Sequence, residues 1–128
     1  MKAQDLRLGN FVIAKNEIIK IIEFRESFVL GENDNCLIRC LPSQMKPIEL
    51  TEDILVNLFG KPRTNGNKFD IYYIPTNGIE IQDRRKSALP TPTICILKFG
   101  VHICDTKYIH QLQNIYYLLT NQELEINL

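Results

Sequence analysis

Four cysteines, Cys36, Cys40, Cys95 and Cys104, and two histidines, His102 and His110, are the residues best suited to hold a metal or move a proton. Structural zinc sites favour close ligand pairs on tight turns. Cys36 and Cys40 instead bracket a predicted strand, where they share a sheet face but stand too far apart for one ion. Cys95 lies inside another predicted strand, and eight residues separate it from Cys104. Buried free thiols account for this spacing more simply, so no metal and no cofactor is expected. His102 and Cys104 are two residues apart and would face one side of a strand, as a nucleophile and its base would have to. Nothing in the surrounding sequence orients such a base, and there is no Ser-His-Asp or glycine-rich phosphate motif. An enzyme is the least supported class.

Asp83-Arg84-Arg85-Lys86 is the densest run of charge. With Lys61, Arg63 and Lys68, the cations Arg84, Arg85 and Lys86 make a candidate anion-binding patch. A solvated loop explains the same residues and weighs more. A second candidate lies on the last predicted helix. His110, Gln113, Asn114 and Tyr117 recur at spacings of three, four and seven, which places them in one sector at about 100° per residue. An ordinary solvated face carries Lys and Glu. An imidazole, two amides and a phenol suit a surface that is partly covered, provided each group finds a partner. The stripe either bonds loops of its own domain, for example the connection near Pro90, or contacts a ligand or partner with Tyr117 as aromatic anchor.

The elements that must position these residues follow from pattern. Strands are expected at Phe11 to Ile13, Ile18 to Phe24, Ser27 to Leu30 and Cys36 to Leu41, with turns at Gly9-Asn10 and Lys15-Asn16. Such short, closely spaced strands predict a small barrel-like sheet, ended by Pro42 to Pro47. A helix over 50–60 has Thr51 as N-cap, Glu52 and Asp53 in its first turn, Leu50 and Leu55 at staple spacing, and Gly60 at its end. Ile54, Leu55, Leu58 and Phe59 form its apolar face. Lys61 to Lys68 reads as loop. Two hairpins follow, one turning at Thr76-Asn77-Gly78 and one at Gly100, separated by an exposed connection from Asp83 to Pro92. In the last helix Asp105 is the expected N-cap, and Ile109, Leu112, Ile115, Tyr116 and Leu119 the apolar face. Asn121 is placed to close it, and Leu124, Ile126 and Leu128 alternate like a strand. The expected fold is α+β, in one domain spanning 1–128, with a β-rich subregion 1–49 and an α+β subregion 50–128.

Composition sets the outer bounds. The 128 residues match one domain, and 45% hydrophobic with 23% charged residues is ordinary for a globular chain. Fifteen basic residues balance fifteen acidic ones, which lowers the expectation of non-specific nucleic-acid binding. No apolar run is long enough to span a bilayer, and Met1-Lys2-Ala3-Gln4-Asp5 lacks the apolar core of a signal peptide. The expected compartment is the cytoplasm, where thiols stay reduced.

Three segments carry a resemblance. They are Leu6-Arg7-Leu8-Gly9-Asn10, Leu50-Thr51-Glu52-Asp53-Ile54-Leu55, and His110-Gln111-Leu112-Gln113-Asn114-Ile115-Tyr116-Tyr117-Leu118-Leu119-Thr120 with Glu123-Leu124. In this order they resemble a group of small uncharacterised proteins of Bacteroides-type bacteria, their prophages and mobile elements. The usual glycine after the Leu-Thr pair is Asn121 here. The resemblance implies a context, that of a phage or mobile-element accessory protein, and no activity. A binding module for a host protein or a small anionic ligand is therefore the leading expectation. Nucleic-acid binding through the N-terminal barrel, using Phe11, Phe24 or Phe28, and a structural role in a phage particle follow it.

Overall fold

A computed structural model of the chain describes residues 1–65, 69–86 and 93–128. In chain order the elements are β1 (Phe11–Ala14), β2 (Glu17–Phe24), β3 (Val29–Glu32), β4 (Leu37–Cys40), α1 (Glu52–Phe59), β5 (Arg63–Asn65), β6 (Phe69–Ile74), β7 (Ile79–Asp83), β8 (Ile94–Lys98), β9 (Val101–Thr106) and α2 (Ile109–Thr120), with 3-10 turns at Ala3–Asp5 and Pro42–Gln44. The fold is α+β, with a four-stranded and a five-stranded antiparallel sheet. The chain divides into two compact units, Met1–Glu49 with Tyr108–Leu128, and Leu50–Lys107. The first boundary coincides with the end of the β-rich subregion, and α2 belongs with that N-terminal sheet.

In the first unit β1 to β4 form a meander in sequence order. Lys15 and Asn16 both take positive φ, of 50° and 64°, and so close β1 onto β2 in a two-residue turn whose twist matches the strands. A bulge between Ile21 and Glu23 bends β2 and curls the sheet. The expected barrel does not form, and the sheet stays open. Its free β1 edge is met by one bridge, Ile13 to Lys46, with N–H···O distances of 2.9 and 2.8 Å. The four-residue β1 has little edge to offer, and Pro42 and Pro47 keep the returning segment from lengthening into a strand. Val12, Ala14, Ile19, Ile21, Val29, Ile38, Cys40 and Met45 belong to one buried core cluster of this unit. Gly31, one residue past the expected strand Ser27 to Leu30, lies within β3, where a Cβ would stand 2.3 Å from Ile19 Cδ1. Only glycine lets that isoleucine pack against the strand.

In the second unit the strand order is β5-β6-β7-β8-β9. Its buried face includes Tyr72, Ile79, Ile81, Ile94 and Ile96, joined by Leu50 and Leu55. The α1 expectations hold. Thr51 Oγ1 accepts from Ile54 N at 3.2 Å, Gly60 ends the helix with φ 83°, and Leu50 and Leu55 are fully buried. The ring of Phe59 packs on Tyr72 at 6.4 Å. Among the described residues the buried Tyr72 hydroxyl has no hydrogen-bond partner, and burial pushes its pKa up to about 12, with the charge of Asp70 adding to the effect.

Three local expectations are corrected. Arg63–Asn65 is an edge strand rather than loop, because the Phe69–Ile71 backbone pairs with it. Asp105 does not cap α2, since β9 continues through it to Thr106 and Tyr108 is the N-cap residue. The alternation of Leu124, Ile126 and Leu128 buries Ile126 without forming a strand. Lys68 and the proline-bearing part of the Asp83 to Pro92 connection lie outside the described residues. Among the described residues no helix is long and apolar enough to cross a membrane.

Candidate functional site

Helix α2 buries Ile109 and Leu112 fully, and Ile115, Tyr116 and Leu119 in part. Asn121 closes it in the left-handed conformation, φ 57°, and its N–H donates to Tyr117 O at 2.7 Å. The buried sector extends past the apolar residues to take in His110 and Gln113, which are 5% and 1% exposed. Gln113 enters the interior because the N-terminal segment brings partners to it.

Gln113 is the centre of that arrangement. Its Oε1 accepts from Phe11 N at 2.9 Å and its Nε2 donates to Gly9 O at 3.0 Å. One amide thus replaces the neighbour that the start of β1 lacks. Asn114 Oδ1 accepts from Asn10 Nδ2 at 2.8 Å and from Arg7 Nε at 3.2 Å, and its Nδ2 donates to Asp5 O at 3.3 Å. Asn10 is itself fully buried, and its Oδ1 accepts from Arg7 N at 2.7 Å. The Arg7 guanidinium lies over the Tyr117 ring at 4.5 Å and donates to Glu123, with Nη2 to Oε2 at 3.0 Å. That hydrogen bond holds the Glu123 carboxyl below its ordinary range. The Leu-Arg-Leu-Gly-Asn segment and the Gln-Asn pair of α2, widely separated in sequence, are therefore one interlocked network. Gln113 and Asn114 are engaged within their own unit, with residues 5–11 as their partners.

His110 differs from its neighbours on the stripe. Its ring stacks on Tyr108 at 5.9 Å and 11°. Among the described residues its buried Nδ1 has no hydrogen-bond partner, and burial pushes its pKa down against the opposing charge of Asp5. It lines an open cleft of about 730 Å³ whose walls include Asp5, Pro47, Tyr108, Ile115 and Leu118. Leu118 is 77% exposed and Tyr117 partly exposed. The sequence reading missed this cleft. Asp5 and Pro47 carried no signal of their own, and Leu118 reads as the solvent side of an amphipathic helix.

Arg84, Arg85 and Lys86 belong to the second unit, and each is partnered. Arg85 pairs with Asp83, Nη2 to Oδ2 at 2.8 Å and Nε to Oδ1 at 2.9 Å, and donates through Nη1 to Leu50 O. Burial raises the Asp83 pKa, but the hydrogen bonds and charge of Arg85 overcome it and hold the carboxyl low. Arg84 Nε donates to Gln82 Oε1 at 2.9 Å, and its guanidinium lies over Phe69 at 4.8 Å. Lys86 Nζ pairs with Glu52 at 2.8 Å. An anion would have to displace these partners.

All four cysteines are free. Cys36 Sγ bonds Asn33 Oδ1 at 3.2 Å and Cys40 Sγ bonds Gln44 Oε1 at 3.8 Å, so the two thiols have separate local partners. Burial pushes the Cys95 and Cys104 thiols up, away from the reactive thiolate. His102 does not face the side of Cys104. A bulge in β9 pairs Ile96 with Cys104 but Leu97 with His102, leaving Ile103 unpaired. The residue spacing from His102 to Cys104 thus changes face, and His102 Nε2 instead meets Asp105 Oδ1 at 2.8 Å. No protein-family model matches the chain, and no curated protein or solved structure is significantly similar to it.

Proposed function

We propose that this chain is a non-enzymatic binding module of a phage or mobile element, and that the cleft beside α2 holds a segment of a host protein. The observation that carries the reading is the cleft wall itself. It sets a largely exposed leucine, Leu118, beside a buried imidazole whose Nδ1 has no partner among the described residues. A peptide can cover the first with an apolar side chain and satisfy the second with a backbone or side-chain group. Protein is favoured over a small anion because the described lining contains the carboxylate of Asp5 and no lysine or arginine. The mobile-element context rests on the resemblance of the Leu-Arg-Leu-Gly-Asn and α2 motifs.

Nucleic-acid binding by the N-terminal sheet is the second reading, and Arg39 over Phe28 at 5.2 Å favours it. The balanced charge of the chain weighs against it. The experiment is photo-crosslinking in host cells from a probe at Leu118, with a probe at exposed Leu37 as control. A discrete protein adduct from Leu118, lost on adding His110→Ala without loss of folding, supports the proposal. Equal adducts from both probes, or adducts to nucleic acid alone, contradict it.

A further inference from the structure

The β8–β9 hairpin gathers three side chains that no motif of the sequence connects. Cys95 and Asp105 are direct cross-strand partners and share a face. Leu97, two residues along β8, points the same way, and the bulge brings His102 opposite it. Without that extra residue His102, three positions from Asp105, would point to the other face. The Cys95 sulfur, a His102 ring nitrogen and an Asp105 carboxylate oxygen all lie within 4.8 Å of one another.

We propose that Cys95, His102 and Asp105 bind one divalent transition-metal ion, with zinc the best fit. Zinc takes thiolate, imidazole and carboxylate ligands, and tetrahedral bonds of about 2.0–2.3 Å set the ligand atoms roughly 3.3–3.7 Å apart. The three donors, already within 4.8 Å of one another, have to close by about 1 Å to reach that spacing. Cys95 is buried and fixed by the sheet, while the side chains of His102 and Asp105 are 55% and 51% exposed, which opens the site to solvent. Binding replaces the hydrogen bonds that Asp105 makes with His102 and with the Cys95 thiol, and Cys95 releases its proton to water. The thiolate and the carboxylate together neutralise the ion, and no electron is transferred. Three protein ligands leave the fourth position to water or to a donor from another molecule. The cysteine pairs that dominate the sequence offered no such set, because the grouping crosses strands and depends on the bulge. The site belongs to the second unit and is independent of the cleft reading.

The test is cobalt(II) titration of the whole reduced chain, followed by displacement with zinc. Cobalt should saturate at one ion per chain with a thiolate-to-metal charge-transfer band, and zinc should abolish it. Cys95→Ser should remove that band, and His102→Ala, at an exposed position that leaves folding intact, should weaken binding at least about tenfold. The doubly substituted Cys36→Ser, Cys40→Ser chain should bind as the parent does. No band in the parent, binding unchanged in His102→Ala, or binding lost in the Cys36, Cys40 variant would overturn the proposal.

Discussion

The polar side of α2 and the polar side of the β8–β9 hairpin use similar side chains to opposite ends. On α2, Gln113 and Asn114 are saturated by residues 5–11 and are largely withdrawn from solvent. On the hairpin, Asp105 is bonded to His102 and to the Cys95 thiol, and His102 and Asp105 remain about half exposed. A buried donor with its acceptor already in place fixes a fold, because removing either leaves the other stranded. Exposed ligand atoms that converge without closing cost little to uncover and can be taken over by an ion. The type of residue does not separate the two cases, but the state of its hydrogen bonds does.

The largest effect should come from Leu112→Ala, which empties a site 1% exposed on α2 and should cost about 2–5 kcal/mol in chemical denaturation. Gln113→Ala should follow, at about 2–4 kcal/mol, because it strands both Phe11 N–H and Gly9 C=O. A loss below about 0.5 kcal/mol, as at ordinary surface positions, would return Gln113 to the list of ligand-binding residues. His110 tests the same interior by pH. Its folded pKa lies below the ordinary 6.5, so the unfolded chain takes up the proton first. The stability it contributes is complete above 6.5 and declines as pH falls from there towards the folded value. Melting should therefore drop between pH 7.5 and 5.5, and by less in His110→Gln. An equal drop in both chains would place the titrating group elsewhere. The smallest effect should be that of His102→Ala on folding without metal, within about 0.5 kcal/mol. A larger loss would make the hairpin cluster structural, like α2.

Much of the fold was legible because it is written in local pattern. Thr51, Gly60 and Asn121 mark helix ends by chemistry that needs no tertiary partner. Lys15-Asn16 marks a turn in the same way. The barrel was not legible as an open sheet, since closure depends on whether the segment around Lys46 can pair with more than Ile13. The start of α2 was misjudged because Asp105 suits a cap and a strand position equally, and pairing with Cys95 decides between them. Polar residues at helical spacing signalled that the stripe is covered. They could not say that Asn10 and Arg7 cover it, because those partners lie about a hundred residues away. The hairpin cluster left no trace in spacing, since one bulged residue, Ile103, changes which side chains share a face.

The claim that the N-terminal motif and α2 are a single lock is tested most directly by a double-mutant cycle on Asn10→Ala and Asn114→Ala, measured by denaturant unfolding. Asn10 Nδ2 and Asn114 Oδ1 are 2.8 Å apart, with Asn10 fully buried and Asn114 half-buried. The two losses should be non-additive, with a coupling energy of about 1 kcal/mol. Losses that simply add would show that the two side chains act independently and would contradict the account.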